Sequence, residues 1–148
     1  MRRVTRRVFN LRSERGAALV ELALAVPFLM IIMCATIDFG LAVYTLNNLT
    51  AATREGGRFA ATRIPAPAAN DTAVENRVYK YISNMNNGMT EASIRAAITN
   101  TAPDANGDIT VRITGYQYRP FTPLAPLFNL GVINMNRTAI FRSELAPG

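Results

Sequence analysis

Histidine is absent from this 148-residue chain, cysteine occurs once and lysine once, at Lys80. Without imidazole there is no His-based triad and no His-ligated metal site. The single thiol, Cys34, lies inside an apolar run, where an inert buried thiol is expected. It can form no disulfide within the chain, so stability must come from a packed core or from neighbouring subunits. A serine–lysine hydrolase would have to rest on Lys80 and Ser83, a spacing too generic to carry chemistry. Paired carboxylates and a glycine-rich phosphate loop are also missing. Composition thus points away from an enzyme, a cofactor or a small-molecule substrate.

Positive charge is scarce outside one short stretch. The formal net charge is +6, but residues 1–16 hold Arg2, Arg3, Arg6, Arg7, Arg12 and Arg15 against Glu14. That leaves the remaining 132 residues with ten basic and nine acidic groups, a net of +1. The body of the chain therefore has no surplus for a phosphate backbone, and a nucleic-acid partner is not expected.

What the chain does have is a long hydrophobic run. From Ala17 to Tyr44 only Glu21, Thr36 and Asp38 interrupt it, and Leu22 to Ile37 carries no charge. Those sixteen residues span about 24 Å as a helix. With their apolar flanks they reach the roughly 30 Å of a hydrocarbon core. Arginines ahead of the span keep that end in the cytoplasm and direct residues 45–148 outward, to the periplasm or cell exterior. A cleaved secretory signal, with Gly40-Leu41-Ala42 before the cut, is a rival. Its basic region would be unusually long and its cut would fall late. Pro27 removes a backbone donor and is expected to kink or loosen the helix. Asp38, seventeen residues and roughly 25 Å beyond Glu21, reads most simply as a marker of the outer interface.

Glu21 carries more information, because Gly16 precedes it by five residues at the mouth of the apolar helix. This is the arrangement at which type IV prepilins are cut. Cleavage between Gly16 and Ala17 would create an ammonium on Ala17, and Glu21 of a neighbouring subunit could neutralise it. Desolvated by packing, such a pair would set axial register between helices. Farther on, the helix is expected to continue from Leu46 to Ala61. Ala52, Gly56 and Ala60, four residues apart, form a smooth stripe open to close approach by another backbone.

Three blocks, Arg15-Gly16-Ala17-Ala18-Leu19-Val20-Glu21, Ile37-Asp38-Phe39-Gly40 and Ala52-Thr53-Arg54-Glu55-Gly56-Gly57-Arg58-Phe59-Ala60-Ala61, stand in order around one apolar span. In this series the chain resembles the TadE-like family, pilin-like components of the tight-adherence (Flp-type) pilus system. The resemblance covers about a third of the chain. It implies a pseudopilin of the bacterial inner membrane, processed by a prepilin peptidase and assembling with other pilin-like subunits and the pilus machinery. Leu22 stands where major Flp pilins commonly carry tyrosine, and those pilins are very short. The added domain thus suggests a minor subunit. A signal-anchored envelope binding module is the alternative, and it leaves Gly16 and Glu21 without a role.

The remaining residues predict a small α+β domain. Ile64-Pro65-Ala66-Pro67 opens a linker over 64–71. Thr72-Ala73-Val74-Glu75 has capping-box spacing, and Val74, Val78, Ile82 and Met85 come next at helical intervals, up to a stop at Asn86-Asn87-Gly88. Thr90 starts a short helix with Ile94, Ala97 and Ile98 inward. Asp104-Ala105-Asn106-Gly107-Asp108 reads as a turn, since the ligand pattern of a calcium loop does not continue past it. Ile109, Val111 and Ile113 alternate with polar residues as a half-buried strand, and residues 132–142 make a second one with weak sidedness. Between them, the proline-rich path from Tyr116 to Phe128 either folds onto the sheet or docks on a neighbour or membrane surface. The expected organisation is a basic leader over 1–16, a transmembrane helix over 17–44, its extension over 45–63, the linker, and an extracytoplasmic domain over 72–148. A sheet packed on short helices beside one long helix defines the fold class.

Overall fold

A computed structural model describes residues 11–85, 88–122 and 131–144, with side chains from residue 16 onward. The leader arginines ahead of Leu11, Asn86-Asn87 and the proline-rich stretch from Pro123 lie outside the described residues. The chain forms helix α1 (Leu11–Ala61), helices α2 (Thr72–Ile82) and α3 (Glu91–Ala96), and strands β1 (Ile98–Asn100), β2 (Asp108–Tyr118) and β3 (Ile133–Arg142). The sheet is antiparallel in the order β1-β2-β3. This is the α+β layering expected from the pattern.

Helix α1 runs 51 residues, about 77 Å, and continues through Pro27. Thr36, whose hydroxyl would otherwise be unpaired in an apolar setting, donates to the Ile32 carbonyl one turn back at 2.8 Å. From Thr45 onward one face of α1 becomes buried. Leu49, Ala52 and Ala60 are wholly enclosed together with Val74, Val78 and Ile82 of α2 and Ile109, Val111 and Ile113 of β2. Each fully buried Val, Leu or Ile contributes on the order of 1.5–3 kcal/mol, so this face holds the distal half of α1 to the domain without a disulfide.

Helix α2 is capped one residue earlier than the capping-box spacing indicates. Asp71, not Thr72, is the N-cap, and its carboxylate accepts from the Ala73 amide at 2.8 Å. A full negative charge suits the helix N-terminus better than a hydroxyl, and Asp71 also pairs with Arg63. That guanidinium holds the Asp71 carboxyl below its ordinary range, with the Ala73 amide adding to the effect. The helix ends at Ile82, before the expected stop, leaving Met85 at the edge of the core. Buried Asn100 ties the linker down, donating to the Ala68 carbonyl at 2.8 Å and accepting from the Asp71 amide at 2.8 Å.

Ile98 is inward as expected, but it belongs to a strand. After Thr90 caps α3, Ile98, Thr99 and Asn100 pair with Ile113, Arg112 and Val111. Strand β2 is also longer than its alternation suggests. A bulge opposes Thr114 and Gly115 to Asn136 alone, with Gly115 in the left-handed region at φ 72°. The bulge reverses the parity, so inward positions pass from Ile109, Val111 and Ile113 to Tyr116 and Tyr118. Tyr116 to Tyr118, expected to begin a loop, instead close the core. On β3, Met135, Arg137, Ala139 and Phe141 face inward, and Arg137 donates to the Thr50 hydroxyl on α1 at 3.1 Å. The turn at Asp104–Asp108 is closed by the Asp104 carboxylate, which accepts from the Asn106 and Asp108 amides.

A methyl group at Gly56 would lie 2.3 Å from Val78 Cγ2 and 3.4 Å from Val111 Cγ1. Val78 is fully buried and stiff at χ1, so it has nowhere to swing. Gly56→Ala gains about 1 kcal/mol of helix propensity but incurs overpacking of roughly 1–3 kcal/mol. The expected outcome is a lower urea midpoint in detergent solution. An unchanged or higher midpoint would mean that α1 and α2 can separate at negligible cost.

Candidate functional site

Three zones of α1 carry the residues singled out by sequence. The first is the junction. Gly16, Ala17 and Glu21 lie on a continuous helix and are exposed, and nothing stands within 4 Å of where a Gly16 side chain would begin. Ala17 and Glu21 are one turn apart on that helix, which places the carboxylate near the start of any chain cut after Gly16.

The second zone is the apolar sheath. Every residue from 16 to 30 is exposed, on all sides of the helix, including Leu19, Leu24, Phe28 and Leu29 at 62–75%. A helix apolar around its whole circumference is stable only when lipid or other helices surround it. Leaving each such side chain in water would forgo about 1.5–3 kcal/mol. This helix is long and apolar enough to cross a membrane, and none of its most apolar window is covered by the rest of the protein. Cys34 lies within the sheath, partly buried.

The third zone is the small-residue stripe. The structure places Ala52, Gly56 and Ala60 under α2 and the sheet of the same chain. Next to it, Glu55 accepts from Arg77 of α2 at 2.6 Å, and that hydrogen bond foremost lowers its carboxyl below the ordinary range. The junction and the stripe are not brought together. Glu21 and Gly56 are 35 residues apart, about 53 Å along one helix.

Asp38 lies between these zones and does more than mark an interface. Its Oδ1 accepts from the Phe121 amide at 2.8 Å and the Thr122 amide at 3.2 Å, and its Oδ2 accepts from the Thr122 hydroxyl. The Tyr118 hydroxyl donates to the Asp38 backbone carbonyl at 2.9 Å. Burial, and then the Asp38 charge, raise the Tyr118 phenol above its usual range, which keeps it a donor. A carboxylate embedded in an apolar helix thus clamps the end of β2. The only trace of this in sequence is an acid at the rim of an otherwise charge-free run. Its partners, more than eighty residues away, leave no local signal. Beside this clamp, Tyr44, Tyr81, Tyr116 and Arg119 help line a cleft of about 940 Å³ between α1, α2 and the end of β2. No group of His, Cys, Asp and Glu suited to a metal ion occurs among the described residues.

These features define a protein with one long apolar helix, suited to anchoring in a membrane, and a small α+β domain packed on that helix's distal end. Residues 16–58 match the family model described as TadE-like protein. Over this N-terminal helix the chain is similar to TadE-like protein, as the three blocks indicate, and with its apolar helix it fits a membrane-anchored protein associated with the tight-adherence pilus. The match covers under a third of the chain and ends before α2. No curated protein and no solved structure matches the chain.

Hydrogen bonds to a charged carboxylate contribute about 1.5–3 kcal/mol each. Asp38→Ala should therefore speed amide exchange at Phe121 and Thr122 by roughly ten-fold or more. Asp38→Asn, which keeps one acceptor oxygen, should show a smaller rise. Hydrogen-exchange mass spectrometry over residues 119–122 reads this directly. Identical exchange in the native and alanine proteins would remove the clamp.

Proposed function

We propose that this chain is a minor pilin-like subunit, a pseudopilin, for biogenesis of a tight-adherence pilus. The observation that carries the reading is a continuous helix on which Gly16-Ala17 and Glu21 open a sheath that is apolar on every side, within the segment that matches TadE-like protein. In this reading a prepilin peptidase cuts between Gly16 and Ala17. The new Ala17 ammonium then pairs with Glu21 of an adjacent subunit, at a depth where water no longer screens the charges. The arginine-rich leader holds the N-terminus in the cytoplasm, so the α+β domain emerges on the outer face of the inner membrane.

The fold narrows the assembly surface. The Ala52, Gly56 and Ala60 stripe is already occupied by α2 and β2, so subunit contacts fall to the sheath from Ala17 to Tyr44. The role is structural, with pilin-like subunits and assembly machinery as partners and no bound cofactor, nucleic acid or small molecule.

Protein extracted from membranes of a strain with its prepilin peptidase should be lighter by the mass of Met1–Gly16 than protein from a strain without it. Equal masses retaining that segment in both strains would make the chain a signal-anchored envelope module instead. A secreted form starting at Val43 would favour a cleaved secretory signal.

Glu21→Ala should leave that cut intact yet abolish co-purification with partner subunits and pilus assembly. Normal assembly by the variant would show that Glu21 does not set register.

A further inference from the structure

The end of the domain that carries the Asp38 clamp is built to meet the bilayer. Asp38 lies about 25 Å beyond Glu21 along α1, near the outer limit of a hydrocarbon core of roughly 30 Å. Because the Phe121 amide is bound to the Asp38 carboxylate at 2.8 Å, the Phe121 backbone is held at the same depth. The Phe121 side chain is not used by the core. It is 80% exposed; Phe39, next to Asp38 on α1, is 71% exposed, and Tyr44, about 9 Å farther out than Asp38 along the same helix, is 61% exposed. Two phenylalanine rings at the rim of the hydrocarbon layer, with a tyrosine farther out at headgroup level, match the placement of aromatic side chains at a membrane interface.

The cleft above Phe121 supplies the complementary charge. Among the described residues that line it, Arg119 is the sole cation and no carboxylate occurs. The Arg119 guanidinium lies over Gly88, where an added methyl would sit 3.3 Å from Nη1. Arg119 forms no ion pair among the described residues. A guanidinium in that position beside aromatic side chains fits a lipid phosphate, with the rings in the layer beneath it.

We propose that this face docks on the bilayer that holds α1, with Phe121 inserted among the headgroups beside Phe39 and Arg119 bound to phospholipid phosphate. In the subunit held in the membrane before assembly, this surface is continuous with the lipid-facing side of the span, and an arginine with no ion pair among the described residues suits a phosphate, which is why lipid and not a second copy is its occupant. Docking gives the protein a second attachment to the membrane, so that α1 and the domain packed on it cannot tilt or turn freely in the bilayer. The inference rests on α1 being a membrane span, and is independent of whether Gly16 is cleaved.

The chain contains no tryptophan, so Phe121→Trp places a single reporter at an exposed position. The full-length variant is reconstituted in phosphatidylethanolamine–phosphatidylglycerol vesicles bearing a spin label on the headgroup or at the end of the acyl chain. The indole at position 121 should be quenched by the headgroup label and far less by the chain-end label. Adding Arg119→Gln should lower the docked-to-free ratio roughly five-fold, the loss expected for one arginine at an anionic surface. Phe28→Trp, in mid-span, serves as the separate control and should be quenched by the chain-end label. If the mid-span reporter is quenched but the reporter at position 121 responds to neither label, the span stands and docking is overturned. Blue-shifted emission from position 121 that is insensitive to lipid labels would place a protein neighbour on this face and also overturn the proposal. An unquenched mid-span reporter would overturn the span and docking together.

Discussion

The missing side chain at Gly56 sets how closely the domain approaches α1, and much of the molecule depends on that distance. With only hydrogen at this position, Val78 of α2 and Val111 of β2 close directly onto the helix. The helix that bears the domain is the one that carries the apolar sheath, with no linker between the two functions. About 27 Å lower on the same helix, Asp38 takes hold of the end of β2. Two attachments on one rod fix both the tilt and the height of the domain.

This design turns burial of the sheath into positioning of the domain. Inside a membrane or a bundle of like helices, the sheath takes its depth from hydrophobic burial. Because α1 runs unbroken to Ala61, that depth is transmitted to α2 and the sheet. The core then needs only to hold short elements against one rigid face. Val74, Val78 and Ile82 from α2 and the inward residues of β2 are enough to do so in a domain that contains no cysteine. Ion pairs such as Arg77–Glu55 add specificity at the helix crossing; partly exposed as they are, they contribute little stability.

The fold class and the apolar helix are legible in the sequence because their signals are contiguous. The charge-free run from Leu22 to Ile37, the alternation at Ile109, Val111 and Ile113, and the spacing of Val74, Val78 and Ile82 each lie within a few turns or a single strand. Where pattern and structure part, the cause is a partner distant in the chain. Thr72 has the right spacing to Glu75 for a cap, but Asp71 has Arg63 to support it in space. Ile98 fits a helical period because β1 is only three residues long and depends on β2 for its hydrogen bonds. Tyr116 to Tyr118 resemble loop because the bulge at Gly115 breaks the period that would have extended the strand.

By itself, then, the sequence determined the apolar helix, the uneven placement of charge around it, the Gly16 to Glu21 junction and the α+β character of the distal domain. These depend on composition and on periodicities of 3.6 and 2, properties of neighbouring residues. Only the tertiary structure decided what covers the Ala52, Gly56 and Ala60 stripe, which acid caps α2, and what Asp38 binds. Gly56 of the stripe meets Val78 and Val111, and Asp38 meets a residue 84 positions away. A partner at such separations is set by the path of the whole chain. Asp38 shows the difference most plainly. Its neighbours in sequence make it an isolated charge at a membrane edge, whereas its neighbours in space make it the acceptor that holds the domain in place.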